Sequence, residues 1–189
     1  KKYKLENFLI IDAIDFKKLK RHENKMYIYE KEKYYFLDGI SDEKEKEIAC
    51  TMSHLKAITE SKKLNTPYYM ICEDDITFDY IPFSEYTIDE LYSKLPEEDS
   101  YISLYTNKPD YEGSILNYRH ATMEEYFHGT VSYVLSQNIR DKILNIVTIS
   151  PNQFSFPKKE NAQFIADSYL PSLFKNYHLS SSILVPNNL

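Results

Sequence analysis

The sequence predicts an α/β fold in which helices flank one mostly parallel sheet within a single domain. Three observations support that class: strand-like and helix-like segments alternate, one continuous apolar run is typical of a buried central strand, and 42% of the 189 residues are apolar. A chain of this length and composition is able to bury one sizeable core. We therefore expect residues 1–189 to form one folded unit.

The composition of the chain indicates small ligands or proteins as partners. Twenty-three Lys and Arg residues against 29 Asp and Glu residues give a net charge of −6, which disfavours a broad nucleic-acid surface. Three glycines, Gly39, Gly113 and Gly129, are too few for a glycine-rich phosphate loop. No run of 18 apolar residues occurs, so we expect no transmembrane segment and a cytoplasmic protein. Cys50 and Cys72 lie in apolar stretches, and we expect both to be reduced and to behave as small hydrophobic residues.

The first half of the chain predicts three strands and one long helix. Residues 7–14 and 26–29 are rich in strand-forming side chains, with a charged connection between them. Apolar positions recur at helical spacing over residues 48–64, and Pro67 prevents the helix from continuing. Residues 68–72 then form a continuous apolar run, which predicts a buried strand.

The second half continues the alternation of helices and strands. Thr87 and Glu90 form a capping box for a helix that ends near Leu95, and Ser136 caps a further helix that buries apolar residues as far as Val147. The remaining segments are, in order, a strand at 101–105, a long loop at 106–125, a strand at 131–135, a short helix within 163–174 and a last strand at 183–185. Long loops of this kind often carry function.

Three consecutive acids, Glu73, Asp74 and Asp75, follow the buried strand directly. Ligands of open α/β sheets bind outside the carboxyl ends of the strands, so this is the expected position of a site. If the chain stays extended, alternate side chains point the same way, so Glu73 and Asp75 face one point while Asp74 turns back. Neighbouring carboxylates repel one another, and Mg²⁺ or Mn²⁺ relieves that repulsion and holds a diphosphate. The alternative is an acidic turn that only terminates the strand.

Four segments of the chain carry a resemblance to a known family. Residues 47–57 read EIACTMSHLKA, and after a short spacer residues 69–75 form an apolar strand that ends in EDD. Residues 128–136 and 166–170 add a Gly-Thr strand and a further Asp. The chain resembles glycosyltransferase family 25, which includes lipopolysaccharide biosynthesis galactosyltransferases and procollagen galactosyltransferases. Ala49 stands where the family pattern has glycine, and we expect this chain to start after the family's first strand.

The resemblance implies a GT-A-type fold, with a Rossmann-type mixed and mostly parallel sheet, and a UDP-sugar donor. It implies that Glu73 and Asp75 hold Mn²⁺ or Mg²⁺. It also gives two predicted catalytic residues, Asp74 near the donor sugar or ribose and Asp167 as base or further metal contact. Donor binding is predicted to involve Ser53, His54, Gly129 and Thr130.

The implied reaction transfers a hexose, galactose or glucose, to a hydroxyl of a glycan or a protein. It proceeds with inversion through one in-line displacement, so no nucleophilic side chain is required. Two alternatives belong to other functional classes. One is a glycosyltransferase-like module that binds without catalysis. The other is a metal-dependent hydrolase or nucleotidyltransferase, which the Ser-His helix upstream of the acids disfavours.

Overall fold

The strands of the computed structural model form two five-stranded sheets and one two-stranded pair. The structure describes residues 8–22, 26–30, 34–37, 45–77, 90, 93, 100–105, 118–120, 132–155, 166, 170, 173, 175–179 and 185–186. The first sheet contains β1 (Leu19–His22), β2 (Met26–Tyr29), β3 (Tyr34–Leu37), β9 (Thr148–Ser150) and β10 (Gln153–Ser155), in the order β1-β2-β3-β10-β9. Within it, β3 and β10 are parallel and the other neighbours are antiparallel.

The second sheet contains the strand predicted at residues 68–72, but at its described edge and mostly half-buried, so the prediction of a buried central strand is wrong. Its strands are β4 (Tyr68–Cys72), β6 (Ser100–Ser103), β7 (Tyr118–His120), β8 (Ser132–Ser136) and β11 (Lys175–Leu179), in the order β4-β8-β6-β11-β7. Here β6 and β11 are parallel, and the other pairs are antiparallel. The short strands β5 (Ile76–Thr77) and β12 (Val185–Pro186) form the two-stranded antiparallel pair.

The fold is mixed α/β, but the prediction of a mostly parallel sheet is wrong for the strands that the structure describes. Two of their pairings are parallel and seven are antiparallel. The reason lies in the connections made by helices α1 (Glu45–Glu60) and α2 (Gln137–Val147). Helix α1 leads from the first sheet to the second and α2 leads back. A helical crossover forces parallel strands only when both strands belong to the same sheet.

Helix α1 forms where the apolar spacing predicts it. Ile48, Met52, Leu55 and Ile58 are all buried, which places one face of the helix in the core. Burial of each such side chain contributes about 1.5–3 kcal/mol. The helix ends at Glu60 rather than near residue 64, because a 3₁₀ turn, Ser61–Lys63, tightens its carboxyl end.

Helix α2 begins at the predicted cap. The Ser136 side chain accepts a hydrogen bond from the Ile139 backbone N–H at 3.1 Å. The Gln137 N–H donates to the Pro67 carbonyl at 2.9 Å, which ties the start of α2 to the start of β4. After the helix, Asn152 adopts a φ of 60° in the turn between β9 and β10, a conformation that asparagine tolerates.

Buried residues from both sheets and both helices form one continuous core. Tyr27, Tyr29 and Phe154 come from the first sheet, and Tyr133 and Leu135 come from the second. Aromatic side chains from both sheets therefore form part of this core. The division of the chain into one domain over residues 1–189 stays a prediction.

The predicted strand at residues 7–14 is wrong for its described part, because residues 8–14 pair with no described strand. Phe8 and Ile10 are 61% and 87% exposed, and Ile14 is the residue of this segment that is buried in the core. This segment instead lies against α1. Lys56 Nζ donates to the Asp12 carbonyl at 2.8 Å.

The other predicted elements have mixed outcomes. Strands at 26–29 and 68–72 are confirmed, and those at 101–105 and 131–135 are found shifted by one or two residues as β6 and β8. Glu90, Ser93, Ala166 and Leu170 are helical, in agreement with helices near residues 87–95 and 163–174. Most of those two segments and of the 106–125 loop lies outside the described residues. Strands β1, β3, β5, β9, β10 and β11 were not predicted, and β7 lies within the predicted 106–125 loop. Residue 185 of the predicted last strand belongs to β12, and residues 183–184 lie outside the described part.

Candidate active site at the end of strand β4

The three acids lie where β4 meets the turn into β5. Glu73 follows Cys72 directly, and Asp74 and Asp75 form a turn before Ile76. Because the chain turns here, the alternation of side chains along β4 does not extend past Glu73. The prediction that Glu73 and Asp75 face one point assumed an extended chain, and this turn removes that assumption. Glu73 is partly buried, whereas Asp74 and Asp75 are exposed.

Glu73 points to the side of the sheet that carries α1. Ile71, two residues earlier, packs against that core, Tyr69, four residues earlier, is buried, and the alternation along β4 sends Glu73 the same way. There the carboxylate Oε1 lies 3.3 Å from Nε2 of His54 on α1. The Glu73 side chain is 35% exposed, so one side of the carboxylate contacts the protein while another remains open to solvent.

His54 uses both of its ring nitrogens. Nδ1 lies 3.0 Å from the Tyr133 hydroxyl, and Nε2 faces Glu73. A carboxylate only accepts hydrogen bonds, so Nε2–H donates to Glu73. In the neutral ring Nδ1 then accepts from the Tyr133 O–H. His54 is only 6% exposed, and these two contacts satisfy the polar atoms that its burial removes from water.

Tyr133 is the residue at this site that the sequence reasoning missed. It lies on β8, fully buried, with its ring stacked on Tyr101 at a centroid distance of 4.9 Å. Burial raises the pKa of Tyr133 well above its ordinary value of 10.0, and the nearby Cys50, Cys72 and Glu73 add to the rise. The hydroxyl therefore stays protonated at neutral pH. The available signal was its position in residues 128–136, one of the segments that carry the family resemblance, but no site role was predicted for it.

Cys50 departs from its predicted behaviour. Neither cysteine is in a disulfide, as expected, but Cys50 is exposed on α1 rather than packed as a hydrophobic residue. Its sulfur, one nitrogen of His54 and one Glu73 oxygen all lie within 4.8 Å of one another. The signal that was available is Cys-x-x-x-His on a helix, which places both side chains on one face. Cys72 is partly buried, and burial raises its pKa from 9.0 to about 12.

The Ser53 side chain forms hydrogen bonds with the protein backbone. Its hydroxyl accepts from the Ile14 backbone N–H at 2.8 Å and donates to the Ala49 carbonyl at 2.7 Å. Ser53 therefore faces the N-terminal segment, while His54, its neighbour in sequence, faces Glu73. Of the other predicted site residues, Gly129, Thr130 and Asp167 lie outside the described residues.

The acidic turn suits a hard divalent cation. Carboxylate oxygens are the protein ligands that Mg²⁺ and Mn²⁺ prefer, and such ions are commonly held by one or two carboxylates together with substrate phosphates. Exposed Asp74 and Asp75 beside partly buried Glu73 supply that donor type. The site is thus an acidic strand end of a mixed α/β fold, with one carboxylate held by a buried histidine.

Comparison with protein families identifies the class of protein to which the chain belongs. The family model described as glycosyltransferase family 25 (LPS biosynthesis protein) matches residues 2–156, which include α1, β4 and the acidic turn. The chain belongs to glycosyltransferase family 25. The family is described as one of lipopolysaccharide biosynthesis proteins, so membership implies glycosyltransferase activity, with a sugar donor and a glycan acceptor as partners. No curated protein and no solved structure matches the chain. Among the described residues, no helix combines the length and apolarity needed to cross a membrane.

Proposed function

We propose that this chain is a metal-dependent, inverting hexosyltransferase with a GT-A-type fold. It takes galactose or glucose from a UDP-sugar and transfers it to a hydroxyl of a glycan or a protein. We further propose that it works in the cytoplasm. The observation that carries the proposal is the acidic turn after β4, in a chain that belongs to a glycosyltransferase family.

The three carboxylates at this turn have different proposed roles. Glu73 and Asp75 are the proposed metal ligands, and the bound cation neutralises charge that develops on the departing diphosphate. The contact between His54 and Glu73 supports this assignment, since it fixes one carboxylate before the donor arrives. Asp74, exposed beside them, is proposed to contact the donor sugar or ribose.

The acceptor side of the reaction is assigned to residues outside the described part of the chain. Asp167 is the proposed base that removes the proton of the acceptor hydroxyl, so that the oxygen attacks the sugar carbon as the bond to the diphosphate breaks. Gly129 and Thr130 are proposed to let the donor sugar lie against the backbone. His54 supports the donor site through Glu73, and Ser53 supports it by holding residue 14 against α1.

Calorimetry of UDP binding tests the donor site directly. The titration is run with and without Mn²⁺ on the parent chain, on Asp75→Ala and on Glu30→Ala, a control that removes an exposed carboxylate from the end of β2. We expect Mn²⁺-dependent binding by the parent chain and by Glu30→Ala. We expect Asp75→Ala to weaken it at least tenfold, about 1.4 kcal/mol, because a cation ligand is lost.

The outcomes separate the proposed function from its alternative. Equal UDP binding with and without Mn²⁺, or unchanged binding by Asp75→Ala, contradicts the metal assignment. A folded chain that binds none of UDP, GDP and CDP is instead a glycosyltransferase-like module without catalysis. Where UDP binds, transfer and hydrolysis assays with UDP-galactose and UDP-glucose identify the sugar.

A further inference from the structure

We propose that Cys50, His54 and Glu73 form a binding site for zinc or another thiophilic divalent cation. This site is distinct in chemistry from the Mn²⁺ or Mg²⁺ site at the acidic turn, and it does not depend on the proposed transfer reaction. It joins helix α1 to the carboxyl end of β4. Three observations carry the inference: the distances between the ligand atoms, the orientation of the histidine and the mixture of donor atoms.

The ligand atoms are already close together. Cys50 Sγ, a His54 ring nitrogen and a Glu73 carboxylate oxygen all lie within 4.8 Å of one another. Around a tetrahedral zinc ion such atoms are separated by about 3.3–3.8 Å, as the metal–ligand lengths require. Cys50 and His54 lie four positions apart on α1, so they project from one face, one turn apart.

The orientation of the His54 ring is fixed by a hydrogen bond to Tyr133. Tyr133 lies 3.0 Å from Nδ1 of His54, and Nε2 lies 3.3 Å from Glu73. Metal-binding histidines nearly always have their other nitrogen fixed by a hydrogen bond of this kind. When a cation takes Nε2, the ring proton moves to Nδ1, which then donates to the Tyr133 oxygen. A hydroxyl accepts as well as donates, so the contact survives the change of tautomer.

The donor atoms select the type of metal. A thiolate and an imidazole favour zinc and related ions over Mg²⁺ and Mn²⁺, which prefer oxygen ligands. Cys50 and Glu73 each bring one negative charge when they bind, which balances a divalent cation. Three protein ligands leave one position of a tetrahedral ion open, as in catalytic rather than structural zinc sites. Cys50 is exposed, so that position is accessible from solvent.

Glu73 is common to this site and to the proposed donor site. A zinc ion bound at α1 holds Glu73 on that side, while Asp74 and Asp75 remain exposed on the turn. We therefore expect zinc at saturating concentration to weaken Mn²⁺-dependent UDP binding. The two proposals fail separately, because zinc binding is measured without nucleotide and UDP binding is measured without zinc.

Cobalt(II) is the probe for this site, because a cobalt–thiolate bond gives a charge-transfer absorption in the near ultraviolet. The reduced chain is titrated with Co²⁺ without nucleotide, and Zn²⁺ or Mg²⁺ is then added in competition. The variants are Cys50→Ser, Glu73→Gln and, as a matched control, Cys72→Ala, which removes the other cysteine of the chain. Circular dichroism confirms that each variant is folded before titration.

We expect one equivalent of Co²⁺ to produce the thiolate absorption in the parent chain and in Cys72→Ala. Zn²⁺ displaces it and Mg²⁺ does not, in keeping with the order of affinities for such sites. Cys50→Ser loses the absorption, and Glu73→Gln keeps it but binds at least tenfold more weakly. No absorption in the parent chain, its persistence in Cys50→Ser, or its loss in folded Cys72→Ala overturns the proposal.

Discussion

Replacement of Tyr133 by phenylalanine tests the hydrogen bond on which the geometry of the site depends. The substitution removes the hydroxyl that lies 3.0 Å from His54 Nδ1 and leaves the ring in place on Tyr101, at 4.9 Å between centroids. Packing is therefore conserved, and the change isolates one polar contact. The His54 nitrogen loses its partner inside the core, where water does not replace it, since His54 is 6% exposed.

The expected loss follows from that burial. A buried polar atom left without a partner costs about 1–3 kcal/mol, more than the net value of an average hydrogen bond. In a chain of this size each kcal/mol lowers the melting temperature by about 2–4 °C. We expect Tyr133→Phe to reduce the free energy of unfolding by about 1–3 kcal/mol and the melting temperature by about 2–12 °C.

Urea denaturation followed by circular dichroism measures this loss. Tyr29→Phe is the matched control, because Tyr29 is a buried core tyrosine whose hydroxyl bonds to no described residue. We expect the control to stay within about 0.5 kcal/mol of the parent. A double-mutant cycle with His54→Leu then gives the coupling energy of the pair. Equal losses for the two phenylalanine variants, or a coupling energy of zero, would refute the reasoning.

Three further predictions concern pH, the N-terminal segment and a helix cap. Burial raises the pKa of Cys72 from 9.0 to about 12. Between these two pH values the folded chain keeps a thiol proton that the unfolded chain loses. The free energy of unfolding is therefore expected to fall by about 1.4 kcal/mol per pH unit above pH 9. Denaturation at pH 8, 9 and 10 checks the slope, which Cys72→Ala should remove. Ser53→Ala is expected to speed hydrogen exchange of the Ile14 amide at least tenfold, measured by mass spectrometry, because that amide loses its acceptor; unchanged exchange contradicts the contact. Ser136→Ala should lower unfolding free energy by about 1 kcal/mol in urea, since α2 loses its cap, whereas an unchanged midpoint argues against that cap.

Local signals in the sequence predicted the elements that depend on local physics. The apolar face of α1 and the cap of α2 at Ser136 are set by neighbours within one helical turn, and both are confirmed. The position of strand β4 is confirmed as well, but the expectation of a buried central strand is wrong: β4 is the end strand of its described sheet, and Tyr69 alone of its five residues is buried. An apolar run shows strand propensity without showing that both faces and both edges are covered.

Strand direction was not predictable from the same signals. The pairing of Tyr68 with Ser136 depends on contacts between distant segments, and an apolar run has no direction. The alternation of helices and strands suggested crossovers within one sheet, whereas α1 and α2 each connect two sheets. Residues 8–14 failed for a related reason: their side chains have strand propensity but no described strand pairs with them.

The site was predicted in part. The acids after β4 and His54 were selected as candidates from spacing and resemblance, and the structure brings His54 and Glu73 together, while their roles stay predictions. Tyr133 was missed because its role depends on a contact across 79 positions of sequence. Cys50 was misjudged because apolar neighbours in sequence do not determine which face of a helix a residue occupies.

His54 explains why the three consecutive acids are not equivalent. Glu73 contacts His54 and is partly buried, whereas Asp74 and Asp75 are exposed on the turn. Contact with the buried His54 ring restricts the Glu73 side chain when the protein folds. Ordering a glutamate side chain costs about 1.5–2 kcal/mol in conformational entropy. Because part of this cost is met during folding, less of it opposes ligand binding. A site in which Glu73 is preorganised and Asp74 and Asp75 are exposed suits a ligand that consists of a cation and a diphosphate. The same fixed carboxylate, with Cys50 alongside, is what makes the α1 face available to a thiophilic ion.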